Sequence, residues 1–129
     1  GAQGAVGAQG AVGAQGAVGA QGVQGAVGPS TIPQNSKTSS YTLLSSDTAK
    51  HISITTGGVT VPTAVFSIGD AVTIFNNSAS SQTITQGASV TLRNAGTATT
   101  GNRTLAQYGI CTVLCVASNV FVISGAGLS

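Results

Sequence analysis

Few side chains of this 129-residue chain can act as acids, bases or nucleophiles: one histidine, two acidic residues and two cysteines. His51 follows Asp47 closely and serines are frequent, but this proximity has no specificity for a hydrolytic triad. A carboxylate pair for glycoside cleavage would have to be Asp47 and Asp70, and Asp70 in IGDAV is typical of a turn. The sequence therefore predicts no catalytic residue, and we expect His51 in a turn or an inter-subunit polar contact.

Cys111 and Cys115 are the two thiols of the chain. On one strand they would face the same side about 13 Å apart, too far to bridge each other. Buried free thiols, disulfides between chains and metal binding are the three interpretations. Because the sequence has no CxxC, no HxxxH and no acidic loop, we predict no metal site and no cofactor.

The longest polar stretch is GTATTGNRTLAQYG, at residues 96–109. In it, Arg103 and Tyr108 could hold a sugar by hydrogen bonding and stacking, and Asn102 could contribute a further hydrogen bond. A solvated loop between two strands is the alternative interpretation. The stretch is therefore a candidate glycan-contacting loop.

Charge is scarce, with a formal net charge of +2 and charged residues at only 5% of the chain. Nucleic-acid binding needs clustered Lys and Arg to displace counterions, so we predict no nucleic-acid partner. No apolar run reaches the roughly 18 to 20 residues of a membrane helix, so we predict no membrane partner. The polar surface must be built from Ser, Thr, Asn and Gln, which favours the outside of a particle or cell.

Residues 1–30 have glycine at every third position, from Gly1 to Gly28. The neighbouring residues change order between Gln21 and Ala26 while the glycine phase is kept, so the constraint acts on every third residue. This is the pattern of a collagen triple helix, in which only glycine fits at the axis. A β-helix, silk-like stacking and a disordered linker are the alternatives. Since Pro29 is the only proline of the segment, we expect a weak triple helix that needs another element to hold three chains in register.

From Tyr41 onward, short runs alternate between apolar and polar residues and are separated by turn residues every eight to twelve positions. This pattern predicts an all-β head, a β-sandwich of jelly-roll-like type or a small barrel, with a hairpin closed around Gly57 and Gly58. The expected organisation is a shaft at 1–30, a linker at 31–40 and the β-head at 41–129. The predicted inward residues are Ile52, Ile54, Val59, Val61, Val72, Ile74, Ile84, Val90 and Leu92.

The closing runs GICTVLCVAS and NVFVISG are almost continuously apolar. Strands of this kind are covered on both faces, and one sandwich of about a hundred residues leaves one apolar face too many. A neighbouring subunit would cover it, and the triple helix sets the number of subunits at three. We therefore expect a homotrimer, in which each chain binds two further copies of itself.

Several stretches of residues 41–129 resemble the C-terminal domain of tailed-phage fibre and appendage proteins. The resemblance rests on GDAVTIFN, TITQG, VTLR, GNRTLA and FVISGAGL, with the Gly-X-Y segment in front. It implies a homotrimeric virion fibre with a β-sandwich or jelly-roll-like head, and it implies no catalytic residues. The expected location is the virion surface, and the expected partners are other virion proteins and host surface polysaccharide.

Two other classes of protein fit less well. A bacterial cell-surface or spore-surface collagen-like protein would have the same architecture. A glycan depolymerase is disfavoured because the chain has no glutamate and only two separate aspartates. The sequence thus predicts a structural protein and not an enzyme.

Overall fold

The computed structural model describes residues 31–129, so the predicted Gly-X-Y shaft at 1–30 lies outside the described residues. Apart from a 3₁₀ turn at Ser45–Asp47, the regular structure of residues 31–129 consists of strands. The all-β class is therefore confirmed. The strands are β1 (Gln34–Lys37), β2 (Tyr41–Thr42), β3 (His51–Ile54), β4 (Val59–Val61), β5 (Ala71–Asn76), β6 (Gln82–Gln86), β7 (Thr91–Asn94), β8 (Arg103–Ala117) and β9 (Val120–Leu128).

One long strand, β8, joins two halves of a nearly closed sheet. The strand order is β1-β3-β5-β8-β6-β4-β2: β1, β3 and β5 form one half, β2, β4 and β6 form the other, and β8 pairs with β5 through Ile110 to Leu114 and with β6 through Arg103 to Leu105. Strand β9 pairs with β8, and β7 pairs with β9. From β1 to β6 the chain thus changes halves at every connection.

The core lies between the two halves and is formed by the residues that the alternation points inward. All nine predicted inward residues are buried, among them Ile74 from the odd half and Ile84 from the even half. Strand β8 adds Leu105, Cys111 and Val113 to the same cluster. The period-two pattern therefore identified the inward face correctly.

The pairing differs from the antiparallel jelly-roll-like order that we expected. Strands β3 and β4 do not form a hairpin around Gly57 and Gly58, because β3 pairs in parallel with β1 and β5 and β4 pairs in parallel with β2 and β6. Both glycines have positive φ, 90° and 72°, as a tight turn of this composition requires. The turn, however, carries the chain from one half to the other and not to a neighbouring strand.

At one end of the sheet, the turn at Gly57 and Gly58 is hydrogen-bonded to the first residues of β2 and β6. The Gly58 carbonyl accepts from the Tyr41 N–H at 3.1 Å, while the Gly58 N–H donates to the Gln82 side chain at 3.0 Å. The Gln82 amide in turn donates to the Thr55 carbonyl at 3.0 Å. These bonds give the backbone polar groups of this turn the hydrogen-bonding partners that buried backbone groups require.

Strand β8 bends as it passes from β6 to β5. Its pairing with β9 is irregular between Leu105 and Ile110, and Tyr108 has a positive φ of 53°. The buried Asn76 amide donates to the Leu105 and Ala106 carbonyls at 3.1 and 3.0 Å. These bonds hold the bend and satisfy carbonyls that leave the regular ladder.

The segment 31–40, which we expected to be a linker, contains strand β1. Its residues pair in parallel with β3, from Gln34 opposite His51 to Lys37 opposite Ile54. The compact unit accordingly begins at Ile32. The boundary expected at Tyr41 therefore moves towards the N-terminus, because the polar sequence of β1 gave little sign of an edge strand.

Candidate interaction surface

The Asp47 side chain, considered above for chemistry, is fully buried and its oxygens bind three donors. The Tyr41 hydroxyl donates to Oδ2 at 2.6 Å and the Leu44 N–H to the same oxygen at 2.8 Å. The Asn35 amide donates to Oδ1 at 2.9 Å. Because these donors come from β1, β2 and the 3₁₀ turn, the carboxylate ties the first strands of the unit together.

The surroundings of Asp47 favour the ionised form of its carboxyl group. Burial alone would raise the pKa of this carboxyl, but the hydrogen bonds from Tyr41, Leu44 and Asn35, with the charge of Lys50, lower its pKa below 3.8. Burial and the bond to Asp47 raise the pKa of Tyr41 to about 12. A low pKa with all oxygens bound describes a structural carboxylate and not a general acid.

Asp70 and His51 lie in other local contacts. The Asp70 carboxylate accepts from the Ser67 N–H at 2.9 Å, as expected for a turn residue. The Nδ1 atom of His51 lies 3.1 Å from the Ile32 carbonyl oxygen and its Nε2 atom 3.1 Å from Oε1 of Gln34. These bonds tie the start of β3 to β1.

The structure separates the three residues of the candidate glycan loop. The Asn102 side chain accepts from the Gln86 N–H at 2.9 Å, so its oxygen is used within the fold. Arg103 pairs with Ile84 in the β6–β8 ladder. Tyr108 lies five residues further along the chain, at the bend, and is 59% exposed. Tyr108 is therefore the member of the set that is best placed to meet a partner.

Both thiols point into the core of the single chain. Cys111 and Cys115 are free and buried, on the same face of β8 as Val113. Burial raises the pKa of Cys111 to about 12, and the Cys115 thiol donates to the Ala117 carbonyl at 3.3 Å. A disulfide between chains stays a prediction, and it would require this core to open.

The opposite face of β8 is mostly apolar, and no other part of residues 31–129 covers it. Between the buried positions lie Ile110, Leu114 and Val116, which are 46%, 40% and 41% exposed. The register places Phe75 of β5 and Ala126 of β9 beside Ile110. We call this surface the outer face, and its members are Ala71, Thr73 and Phe75 of β5, Ile110, Thr112, Leu114 and Val116 of β8, and Val120, Val122, Ser124 and Ala126 of β9.

The sequence predicted which strands have a second face in need of cover, but it did not identify the residues of that face. The continuous apolar runs predicted a second face in need of cover, and in the single chain that face is indeed open to solvent. The useful signal is that Ile110, Leu114 and Val116 occupy the positions that alternate with the inward residues of the same strand. Large exposed apolar patches of this kind mark interaction sites in soluble proteins.

Pockets, metal-binding clusters and membrane-spanning helices are the other features that could indicate a function in residues 31–129. Across 31–129 the surface has no pocket, and no group of three or more His, Cys, Asp or Glu in that range is arranged to hold a metal ion. Within that part of the chain, no helix has the length and apolar character to span a bilayer. No family model, no curated protein and no solved structure matches the chain.

Replacing the buried carboxylate tests its structural role. We expect Asp47→Asn to lower the free energy of unfolding at pH 7 by about 1–3 kcal/mol, because buried donors lose a charged acceptor. The native pKa lies below 3.8, so the stabilisation is present above that pH and is lost as the pH falls through the native pKa. Denaturant unfolding at several pH values should show the two proteins converging in acid.

Asp70→Asn serves as the matched control, since Asp70 accepts a single bond in an exposed turn. We expect it to change stability by about 0.5 kcal/mol or less. Equal acid sensitivity in wild type and Asp47→Asn would contradict the structural role of Asp47.

The two thiols should be inert in the native protein. We expect a thiol-specific reagent to leave Cys111 and Cys115 unmodified in buffer and to modify both in denaturant, because the reactive thiolate is suppressed by burial. A variant Thr83→Cys, at an exposed position of β6, provides a thiol that should react promptly. Rapid native labelling of the wild type, or disulfide-linked chains on a non-reducing gel, would contradict the buried free state.

Proposed function

We propose that the chain is a structural fibre or appendage of a bacteriophage particle, exposed at the virion surface. Its β-unit forms a homotrimeric head of sandwich-like type, which holds a collagen-like shaft in register. The observation that carries the proposal is the combination of Gly-X-Y phase at residues 1–30 with a β-unit whose closing strands expose apolar residues. The first feature calls for three chains, and the second supplies a surface on which they can associate.

The proposed role of the head follows from the weakness of the shaft. A Gly-X-Y segment with Pro29 as its only proline gains little from pre-set backbone angles. Association of three heads raises the local concentration of the attached segments, so the shaft forms as an intramolecular event. The mechanism is thus mechanical and associative, and it uses no catalytic residue, cofactor or metal.

The upstream part of the fibre would join other virion proteins, and the head would face the host. Three copies of the exposed Tyr108 could contact host surface polysaccharide weakly and gain affinity from multivalency. The low charge of the chain supports contacts through stacking and neutral hydrogen bonds more than through ion pairs.

Two measurements test the proposed fibre. Sedimentation equilibrium of the full chain should give three times the 12.4 kDa of one chain. Immunogold electron microscopy with antibodies against residues 31–129 should label phage particles. A mass of one chain would remove the basis for the fibre, and labelling confined to a bacterial envelope or spore coat would favour a bacterial surface protein.

Retention on host cells tests the attachment step separately. We expect Tyr108→Ala to reduce retention of the full chain by about tenfold, which corresponds to 1.4 kcal/mol. The matched control is Ile68→Ala, since Ile68 is also exposed, at 72%, and lies outside the proposed contact. If wild type and Tyr108→Ala are retained equally, or if neither is retained, the role of the protein is architectural only.

A further inference from the structure

We infer that the outer face is the surface on which the three copies meet, with β8 of each copy against the threefold axis. In this arrangement Ile110, Leu114 and Val116 form stacked apolar layers, each contributed by three chains, with Thr112 as a polar layer between the first two. The inference rests on the proposed trimer and specifies where its interface lies.

The composition of the outer face is that of an interface core. Its eleven members on β5, β8 and β9 include no Asp, Glu, Lys or Arg, and depletion of charge distinguishes the buried centre of interfaces from ordinary surface. The nearest charged neighbour in the ladder is Arg93, which pairs with Val122 from the β7 side. The charge thus lies at the rim of the apolar surface.

Strand β8 is at the centre of this face. It pairs with β5 on one side and with β9 on the other, and it supplies the large apolar residues of the face that are exposed, Ile110, Leu114 and Val116. Side chains two residues apart on one strand face lie about 7 Å apart. The regular pairing from Ile110 to Cys115 spaces the first three positions in this way, and Val116 follows at the register shift between Cys115 and Ala117.

The hydroxyl of the polar layer already has a hydrogen-bonding partner within its own chain. The Thr112 and Thr73 hydroxyls lie 3.3 Å apart on neighbouring strands of the same chain, as their register requires. Since each hydroxyl has a partner within its own chain, burial of Thr112 against other copies avoids the cost of an unpaired buried hydroxyl.

The repeat identifies the occupant as a second copy of the chain. The three chains of a triple helix wind around one common axis, and identical subunits associate most often with closed rotational symmetry. Every copy therefore presents the same surface towards that axis. A different protein on the outer face would have to bind three times beside chains that are already held together.

Charge placed in one proposed layer tests the surface. We expect Leu114→Lys in the full chain to reduce the mass from three chains to one, because three ammonium groups would meet near the axis. Leu44→Lys is the matched control, since Leu44 is 54% exposed and lies off the outer face, and it should keep the mass of three chains. Circular dichroism of each variant checks that the strands remain folded.

Disulfide trapping provides a second test that does not weaken the surface. We expect Thr112→Cys to yield covalently linked pairs of chains on mild oxidation, since the substituted positions lie around the axis. Thr83→Cys, an exposed threonine of the even half, should stay unlinked, and the wild type measures the background from the buried cysteines.

The outcomes separate this inference from the proposed function. A wild-type mass of one chain overturns both. If the wild type has three chains while Leu114→Lys keeps that mass and Thr112→Cys stays unlinked, the interface lies elsewhere and the fibre proposal stands. Loss of the trimer in Leu114→Lys with linkage of Thr112→Cys supports the outer face.

Discussion

The structure depends on one strand that has to satisfy two apolar faces. Strand β8 directs Cys111, Val113 and Cys115 into the core and Ile110, Leu114 and Val116 to the outside. The inward set is buried in the core cluster, to which both halves of the sheet contribute residues such as Ile74 and Ile84. The outward set is not covered by any other part of residues 31–129. Folding of one chain therefore buries the inward face of β8, and the proposed trimer would bury the outward face.

The chain alternates between the two halves of the sheet from β1 to β6. Consecutive strands therefore do not pair with each other, and each strand from β1 to β4 pairs in parallel with the strand two places later in the sequence. Parallel pairing leaves polar turn groups at the end of the stack, and these bind one another through Gln82 and Gly58. The same need explains two buried polar side chains, Asn76 at the bend and Asp47 near the start of the unit. Polar groups are buried here where the ladder is interrupted.

The sequence contained enough information for the inward face but not for the pairing. Alternation placed residues such as Ile52 and Ile74 correctly, since period two follows from strand geometry alone. A glycine pair between two strands has the same appearance whether it closes a hairpin or crosses between halves, so Gly57 and Gly58 led to the wrong partner strands. The role of Asp47 was also hidden, because its three donors come together only through the fold. The sequence predicted that the closing strands need cover on both faces, whereas the residues of the outer face could be assigned only from the strand register.

In the proposed fibre, a division of labour between the two parts of the chain would explain their contrasting compositions. A shaft of Gly, Ala, Gln and Val can be weak and repetitive if another element fixes the number and alignment of its chains. That element needs a strong, specific surface. Stacked layers along β8 would provide one, because the backbone of β8 is hydrogen-bonded to β5 on one edge and to β9 on the other. The scarcity of charge is compatible with this design, since apolar and hydroxyl contacts lose little strength as salt changes. In the proposed fibre, specificity of association therefore comes from the shape and register of β8, and the shaft contributes length.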